Sequence, residues 1–248
     1  MSLFSSIKYL VKQSLWSLRI DLTRNMQYDR FAFRLIESVL KNESNCIDIG
    51  CHKGEILDWM IRFAPSGIHH AVEPIPYLFI ALKEKYRQSN IHLHALALSD
   101  NAGKLNFNVV KNAPAYSGIR QRKYAIQNPD VEIIEVEVKR LDDLIPVNQA
   151  VRLIKIDVEG AEWDVLKGAT RILKECRPYV MFEFGLGSAE FYNASPEAMF
   201  ELMLENNMHL FSLKDWFTSR RNLSKEEFVN HFNQNSEYYF LAVPSEFN

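Results

Sequence analysis

Apolar residues recur along this chain with two different periods, and the period changes where the elements change. Phe4, Ile7, Val11, Leu15 and Leu18, with Lys8, Lys12 and Arg19 between them, lie close to helical spacing and predict an amphipathic helix over Leu3–Ile20. Its polar face carries few basic residues, so packing on the main domain or a partner suits it better than a membrane surface. Phe31, Leu35, Ile36, Val39 and Leu40 form a second helical face, which stops at Asn42–Asn45.

From Asn45 the pattern alternates between short apolar runs and helical stretches. The run through Ile49 reads as a strand, Gly54–Phe63 as a helix, Ala64–Gly67 as a turn and Ile68–Val72 as a second strand. A helix through Leu78, Leu82 and Tyr86 follows. Ile91–Leu98 then alternates like a strand and, across the Asn101-Ala102-Gly103 turn, suggests an antiparallel hairpin with Lys104–Val110. Lys111–Asp130 has no period and carries Pro114, Gly118 and Pro129, so it reads as a long loop of the kind that forms lids or specificity elements.

Val131–Val138 returns as a strand, and Val151–Ile156 is a buried parallel-type run that ends at Asp157. A helix is predicted over Gly160–Leu173, a strand over Tyr179–Phe184 and a helix over Pro196–Glu205. Met208–Leu213 and Tyr238–Val243 read as strands that close the sheet as an antiparallel pair, joined by a polar-aromatic connection containing Trp216, Arg220 and Arg221. The βαβ rhythm predicts an α/β domain. No repeat or linker divides it, so residues 1–44 read as an N-terminal helical extension and 45–248 as one domain.

Composition narrows the function classes. At 248 residues, 47% hydrophobic and 24% charged, the chain can bury a substantial core, and a net charge of −2 gives no global case for nucleic acid or an anionic membrane. Cys46, Cys51 and Cys176 are odd in number and lack paired zinc spacing; with no signal peptide or long apolar span in view, a cytoplasmic setting is the expectation. Cys46 reads as a small core residue. A homo-oligomer is left open.

The candidate chemistry centres on Asn45–Glu55, NCIDIGCHKGE. A strand that ends in glycine turns tightly and brings backbone close to a ligand, beside the positive end of the next helix. Asp48, Gly50, Cys51, His52 and Gly54 are the candidate cradle. Glu73-Pro74 closes the second strand, where an acid can accept hydrogen bonds from both ribose hydroxyls. The dinucleotide fingerprint Gly-x-Gly-x-x-Gly is incomplete, which disfavours a nicotinamide oxidoreductase. Asp48 suits a ligand carrying an ammonium group, such as the methionyl end of S-adenosylmethionine.

Several segments carry a family resemblance: IDIGCHKGE, AVEPIPYLFIAL, HALALSDNAGKLNF, VEVKRLDDL, RPYVMFEF and, most specific, LIKIDVEGAEWDVLKGATRIL. Across roughly residues 46 to 184 the chain resembles the FkbM-type, S-adenosylmethionine-dependent methyltransferases. The resemblance implies a Rossmann-like, seven-stranded, mostly parallel sheet with one reversed strand and helices on both faces. It also implies O-methylation of a hydroxyl on a saccharide, lipid or small metabolite. Asp48, Gly50, Gly54, Glu73 and Pro74 match the family's motifs; Ala97, Leu98 and Ser99 would flank the adenine, and Asp157 would sit beside the methionine end. Cys51, His52, Lys53 and Glu55 are more polar than the family's usual residues.

Methyl transfer to an aliphatic hydroxyl requires alignment, exclusion of water and a group to take the proton. Glu183 leads as base because it ends an apolar strand; Asp157 and Glu159 stand beside it, with Glu162 and His52 as further candidates. Asp157 or Glu159 as a helix cap, and Glu162 as a first-turn acid, are the plainer readings. Clustered carboxylates also suit Mg²⁺, which the sequence leaves undecided. Ser117, Arg120, Arg122 and Lys123 are acceptor-contact candidates in the long loop. His69, His70, His92 and His94 lack ligand spacing and read as sheet residues. The alternative to an enzyme is a catalytically inactive binding module on the same fold.

Overall fold

The computed structural model describes residues 23–247 apart from Lys123 and Ala125; the helix expected over Leu3–Ile20 lies outside the described residues. The first helix, α1 (Arg24–Val39), is capped by the Thr23 hydroxyl, which accepts from the Met26 N–H at 3.2 Å. There follow β1 (Cys46–Ile49), α2 (Glu55–Phe63), β2 (His69–Val72), α3 (Pro76–Lys85), β3 (Ile91–His94), β4 (Ala97–Leu98), β5 (Gly103–Val110), β6 (Val131–Lys139) and α4 (Leu141–Leu144). The second half adds β7 (Leu153–Ile156), α5 (Glu162–Lys167), α6 (Thr170–Glu175), β8 (Tyr179–Glu183), α7 (Pro196–Glu205), β9 (Met208–Ser212), α8 (Leu213–Phe217), α9 (Lys225–Gln234) and β10 (Tyr239–Pro244).

Seven strands form one sheet in the order β3-β2-β1-β7-β8-β10-β9, with β10 antiparallel to both neighbours. The central strands are short and wholly buried because both faces are covered. On one face Ile47, Ile154, Phe182 and Phe240 pack with Val165, Ile172, Met199 and Phe228 from α5, α6, α7 and α9. On the other, Cys46, Leu153, Met181 and Leu241 pack with Leu35 of α1, Met60 of α2 and Trp216 of α8. Alternate residues of each strand therefore serve alternate layers. The order reverses between β1 and β7, and there the carboxyl ends of the strands open a crevice.

Three expectations are corrected. Ile91–Leu98 is not one strand: β3 extends the main sheet, whereas β4 joins a second sheet ordered β4-β6-β5. The hairpin partner of β5 is β6, pairing Gly103 with Val138 through Val110 with Val131, so the long loop is the hairpin connection. Alternation identified the strands but could not choose among partners of equal period.

The helix expected over Gly160–Leu173 is two short helices, because Gly168 packs against the β4 end: a Cβ there would lie 2.2 Å from the Ser99 carbonyl oxygen. The connection after β9 holds α8 and α9. The latter begins with a capping box, Ser224 with Glu227, that the polar composition had obscured.

Candidate active site

At the switch point Gly50 turns with φ +70°, and a Cβ would sit 1.9 Å from the Asp157 carbonyl oxygen. Four of the loop's own amides are already used. Gly50 N–H and Cys51 N–H both donate to the Val72 carbonyl, at 3.0 and 3.1 Å, and Gly54 N–H donates to Cys51 O at 2.7 Å. His52 N–H donates to the Glu73 carboxylate at 2.9 Å. Amides engaged in this way do not cradle a pyrophosphate, which needs free donors.

The crevice encloses a cavity of about 260 Å³. Gly50, Cys51, His52, Glu73, Pro74, Ala97, Leu98 and Asp157 line it. Asp48 and Ser99 are not among the lining residues; both are buried, and the Ser99 hydroxyl donates to Asp100 at 3.2 Å. Gly54 caps α2 behind the wall, where its carbonyl accepts from the Tyr86 hydroxyl at 2.8 Å. Leu96, Phe107 and Ile75 give one side an apolar surface, while Pro114, Ala115, Ser117 and Ile119 bring the long loop over the opening.

Glu73 is held in place by its own backbone surroundings: one oxygen accepts from His52 N–H and the other from Ile75 N–H, each at 2.9 Å. Burial pushes its pKa up to about 7 despite those bonds. The His52 imidazole is pushed down, first by burial and then by Lys53, and its buried Nε2 has no hydrogen-bond partner among the described residues.

The wall of the first cavity also holds a residue that the sequence reading missed. Lys155 of β7 is in register with Asp48 of β1, and its ammonium lies 3.4 Å from Asp48 and 3.7 Å from Asp157 while donating to the Gly50 carbonyl at 2.8 Å. Burial opposes its charge, but the two carboxylates outweigh burial and raise its pKa. A lysine inside the apolar run LIKID was the available signal, since a buried ammonium requires a partner. Burial pushes the Asp48 carboxyl up against the pull of Lys155, so the ammonium under the turn is shared among Asp48, Asp157 and the Gly50 carbonyl.

A second space of about 430 Å³ adjoins the first, and Asp29, Ala115, Asp157, Glu159 and Tyr239 line both. Glu183 faces this second space, and no hydrogen bond or ion pair of its carboxylate is found among the described residues. Burial, then the charges of Asp157, Glu159 and Glu162, holds Glu183 well above the ordinary carboxyl range. Glu159, at φ +59°, is ion-paired with Arg122; burial and then Asp157 push it up to about 8. Arg122 also donates to Gly187 O at 3.1 Å.

Glu162 lies outside both spaces and braces the turn, accepting from Val158 N–H at 2.9 Å and Gly160 N–H at 3.3 Å. Arg120 ties the loop to the Phe191 carbonyl at 3.0 Å. Lys123 lies outside the described residues. His70 bonds His94 at 3.0 Å on the β2–β3 sheet surface, away from the crevice. Among the described residues, no group of three or more His, Cys, Asp or Glu side chains has the arrangement to hold a metal ion.

A doubly wound sheet with an acid-tethered turn and a two-part carboxylate crevice at its switch point defines an open α/β fold. The family follows from the sequence match. Residues 48–210 fit the model of the methyltransferase FkbM domain, and the chain belongs to that family. It is 30% identical to "Methyltransferase 1" of Beauveria bassiana over 146 residues, spanning 51% of this chain and 59% of that protein. With 2-O-methyltransferase NoeI of Sinorhizobium fredii the identity is 27% over 168 residues, 62% of this chain and 68% of that one. The crystal structure of methyltransferase FkbM from Methylobacillus flagellatus superposes with a TM-score of 0.51 at 14% identity, covering 95% of this chain and 59% of the other. That likeness concerns the fold.

Among the described residues, no helix is long and apolar enough to cross a membrane.

Proposed function

We propose that the protein transfers a methyl group from S-adenosylmethionine to a hydroxyl of a saccharide or small metabolite. The observation that carries this reading is the pair of joined spaces, one built around the tethered Glu73 and the other floored by unspent acid, meeting at Asp157 and Glu159. S-adenosylmethionine would supply the activated methyl group, its sulfonium leaving as a neutral thioether. It has a flat base, a ribose diol and a positively charged end. The apolar side around Leu96, Ala97, Leu98 and Phe107 suits the base, Glu73 the diol, and Asp157 with Glu159 the charge.

The protein's own part is positioning and proton removal. Glu73 reaches the diol with each oxygen fixed by one backbone donor and a second lone pair free. Cys51, His52 and Pro74 flank it, and Asp48 acts from below through Lys155. Glu183 is the base for the acceptor hydroxyl. Its crowded surroundings hold its proton until positive charge arrives beside the cluster, so proton removal is linked to cofactor occupancy. Asp157 and Glu159 supply that coupling. The NoeI name favours oxygen as the accepting atom.

Calorimetric titration with S-adenosylmethionine tests the first half, with binding expected in the wild type and lost in Glu73→Ala. Mass-spectrometric detection of methylated products from a panel of hydroxyl compounds tests the second. Cofactor binding with no product across the panel favours a binding module; absence of cofactor binding sinks the proposal.

A further inference from the structure

The second space has a wall that the matched family segment does not supply. Asn25, Tyr28, Asn235 and Tyr238 line it, and all lie outside residues 48–210. They form one unit. The Tyr238 hydroxyl donates to Asn25 Oδ1 at 2.8 Å, the Tyr28 hydroxyl to Glu237 at 2.6 Å, and the Tyr28 and Tyr238 rings meet edge to face at 4.7 Å. Arg24 lies over the Tyr238 ring at 4.7 Å and donates to the Asn235 carbonyl at 3.1 Å.

We propose that this wall, chiefly Asn25 and Tyr238, selects the methyl acceptor, and that it selects an uncharged polyhydroxylated ring, a neutral sugar residue, over an anionic one. The inference rests on the methyltransferase reading above.

Charge is the first reason. Asp157, Glu159 and Glu183 floor the space, while Arg122, the cation among its described lining residues, is committed to Glu159 and the Gly187 carbonyl. A uronate or phosphate would face carboxylates without a free cation, and like charges brought together in a partly desolvated cleft repel. Chemistry is the second reason. Among the described residues, neither the Asn25 N–H groups nor the Glu183 carboxyl has a hydrogen-bond partner, so both remain available to hydroxyls. Tyrosine surfaces present apolar area with a polar tip, which suits a sugar ring better than an aliphatic chain. A volume of about 430 Å³ lies within the range of small-molecule sites.

The test uses the full chain with methyl-labelled S-adenosylmethionine and three probe sets: methyl glycosides of glucose, rhamnose and fucose; methyl glucuronide; and octanol. Calorimetry of cofactor binding runs alongside on every variant. The expected result is label in at least one neutral glycoside, with kcat/KM for methyl glucuronide and octanol lower by about tenfold or more, the scale of one unpaired charge or lost hydrogen-bond set. Tyr238→Phe and Asn25→Ala should raise KM for that glycoside about five- to tenfold, leaving kcat within about twofold and cofactor affinity unchanged, the pattern of lost uniform binding.

With cofactor bound normally, three results would each overturn the inference: preference for glucuronide or octanol, no methylation of any neutral glycoside, or an unchanged KM in both variants. Absence of cofactor binding in the wild type would instead remove the methyltransferase reading and the inference with it.

Discussion

The two halves of the crevice are built in opposite ways. The half around Gly50 and Glu73 comes from neighbouring strands in perfect register, and its key bonds join residues close in sequence, such as His52 N–H to Glu73. The half around Glu183 is assembled from pieces that meet only in the folded chain: Tyr238 bonds Asn25 across 213 residues. A site made from one local turn is fixed by the sheet beneath it. A site made from distant segments can change its wall without disturbing the fold, which suits a region that chooses the substrate.

The comparison breaks most readily under the floor. Lys155→Met should strand the buried Asp48 charge and cost about 3–5 kcal/mol of stability. Asp48→Leu added to it should recover much of that loss, as measured by urea unfolding. Recovery is the decisive arm; a double variant no better than the single would mean that the pair is not the cause. Gly50→Ala comes next, losing roughly 2–4 kcal/mol because a left-handed Cβ and an overpacked contact act together. Neither class of loss is expected from Asn25→Ala, which should stay within about 0.5 kcal/mol of wild type as an exposed substitution.

Glu73→Gln separates stability from binding. It keeps the shape of the side chain and removes the charge, so cofactor affinity should fall about tenfold or more, in line with one charged hydrogen bond. The melting temperature should fall modestly, because the amide NH2 cannot accept from whichever backbone N–H it faces, that of His52 or of Ile75. A large fall in melting temperature would mean that the charge is needed for the turn itself.

The smallest effect is in the pH dependence. Glu73 and Glu162 are pushed up to about 7 and Glu159 to about 8, each from an ordinary 4.5. The folded chain therefore keeps protons that the unfolded chain has released. The stability they provide is complete below pH 4.5 and is lost as pH rises through 7 to 8. His70 and His94, pushed down to about 4 from an ordinary 6.5, act in the opposite direction below 6.5 only. The melting temperature should thus decline gently from pH 6.5 to 8.5. Glu159→Gln should flatten that decline, and cofactor affinity should rise over the same interval because a cation favours the ionised carboxylates.

Much of this is legible in the sequence. The apolar runs at Cys46–Ile49 and Leu153–Ile156 had to be central strands, since only a sheet covered on both faces buries every residue of a strand. The same reading places Asp48, Glu73, Asp157 and Glu183 at the carboxyl ends of strands. Partner choice was less legible: β5 pairs with β6 across the long loop because tertiary packing, not alternation, decides between strands of equal period. The capping box of Ser224 and Glu227 was present in the sequence but lay in a stretch whose polar-aromatic composition hid it.

The sequence by itself determined the family, the βαβ order and the identity of the acids at the crevice, because these depend on local period, glycine placement and motif. Tertiary structure alone decided that Asp48 lies beneath the cavity on Lys155, that Glu183 faces a second space, and that α1 and the residues around Tyr238 wall it. Burial and pairing between segments far apart in the chain are properties of the packed whole, and no local pattern encodes them.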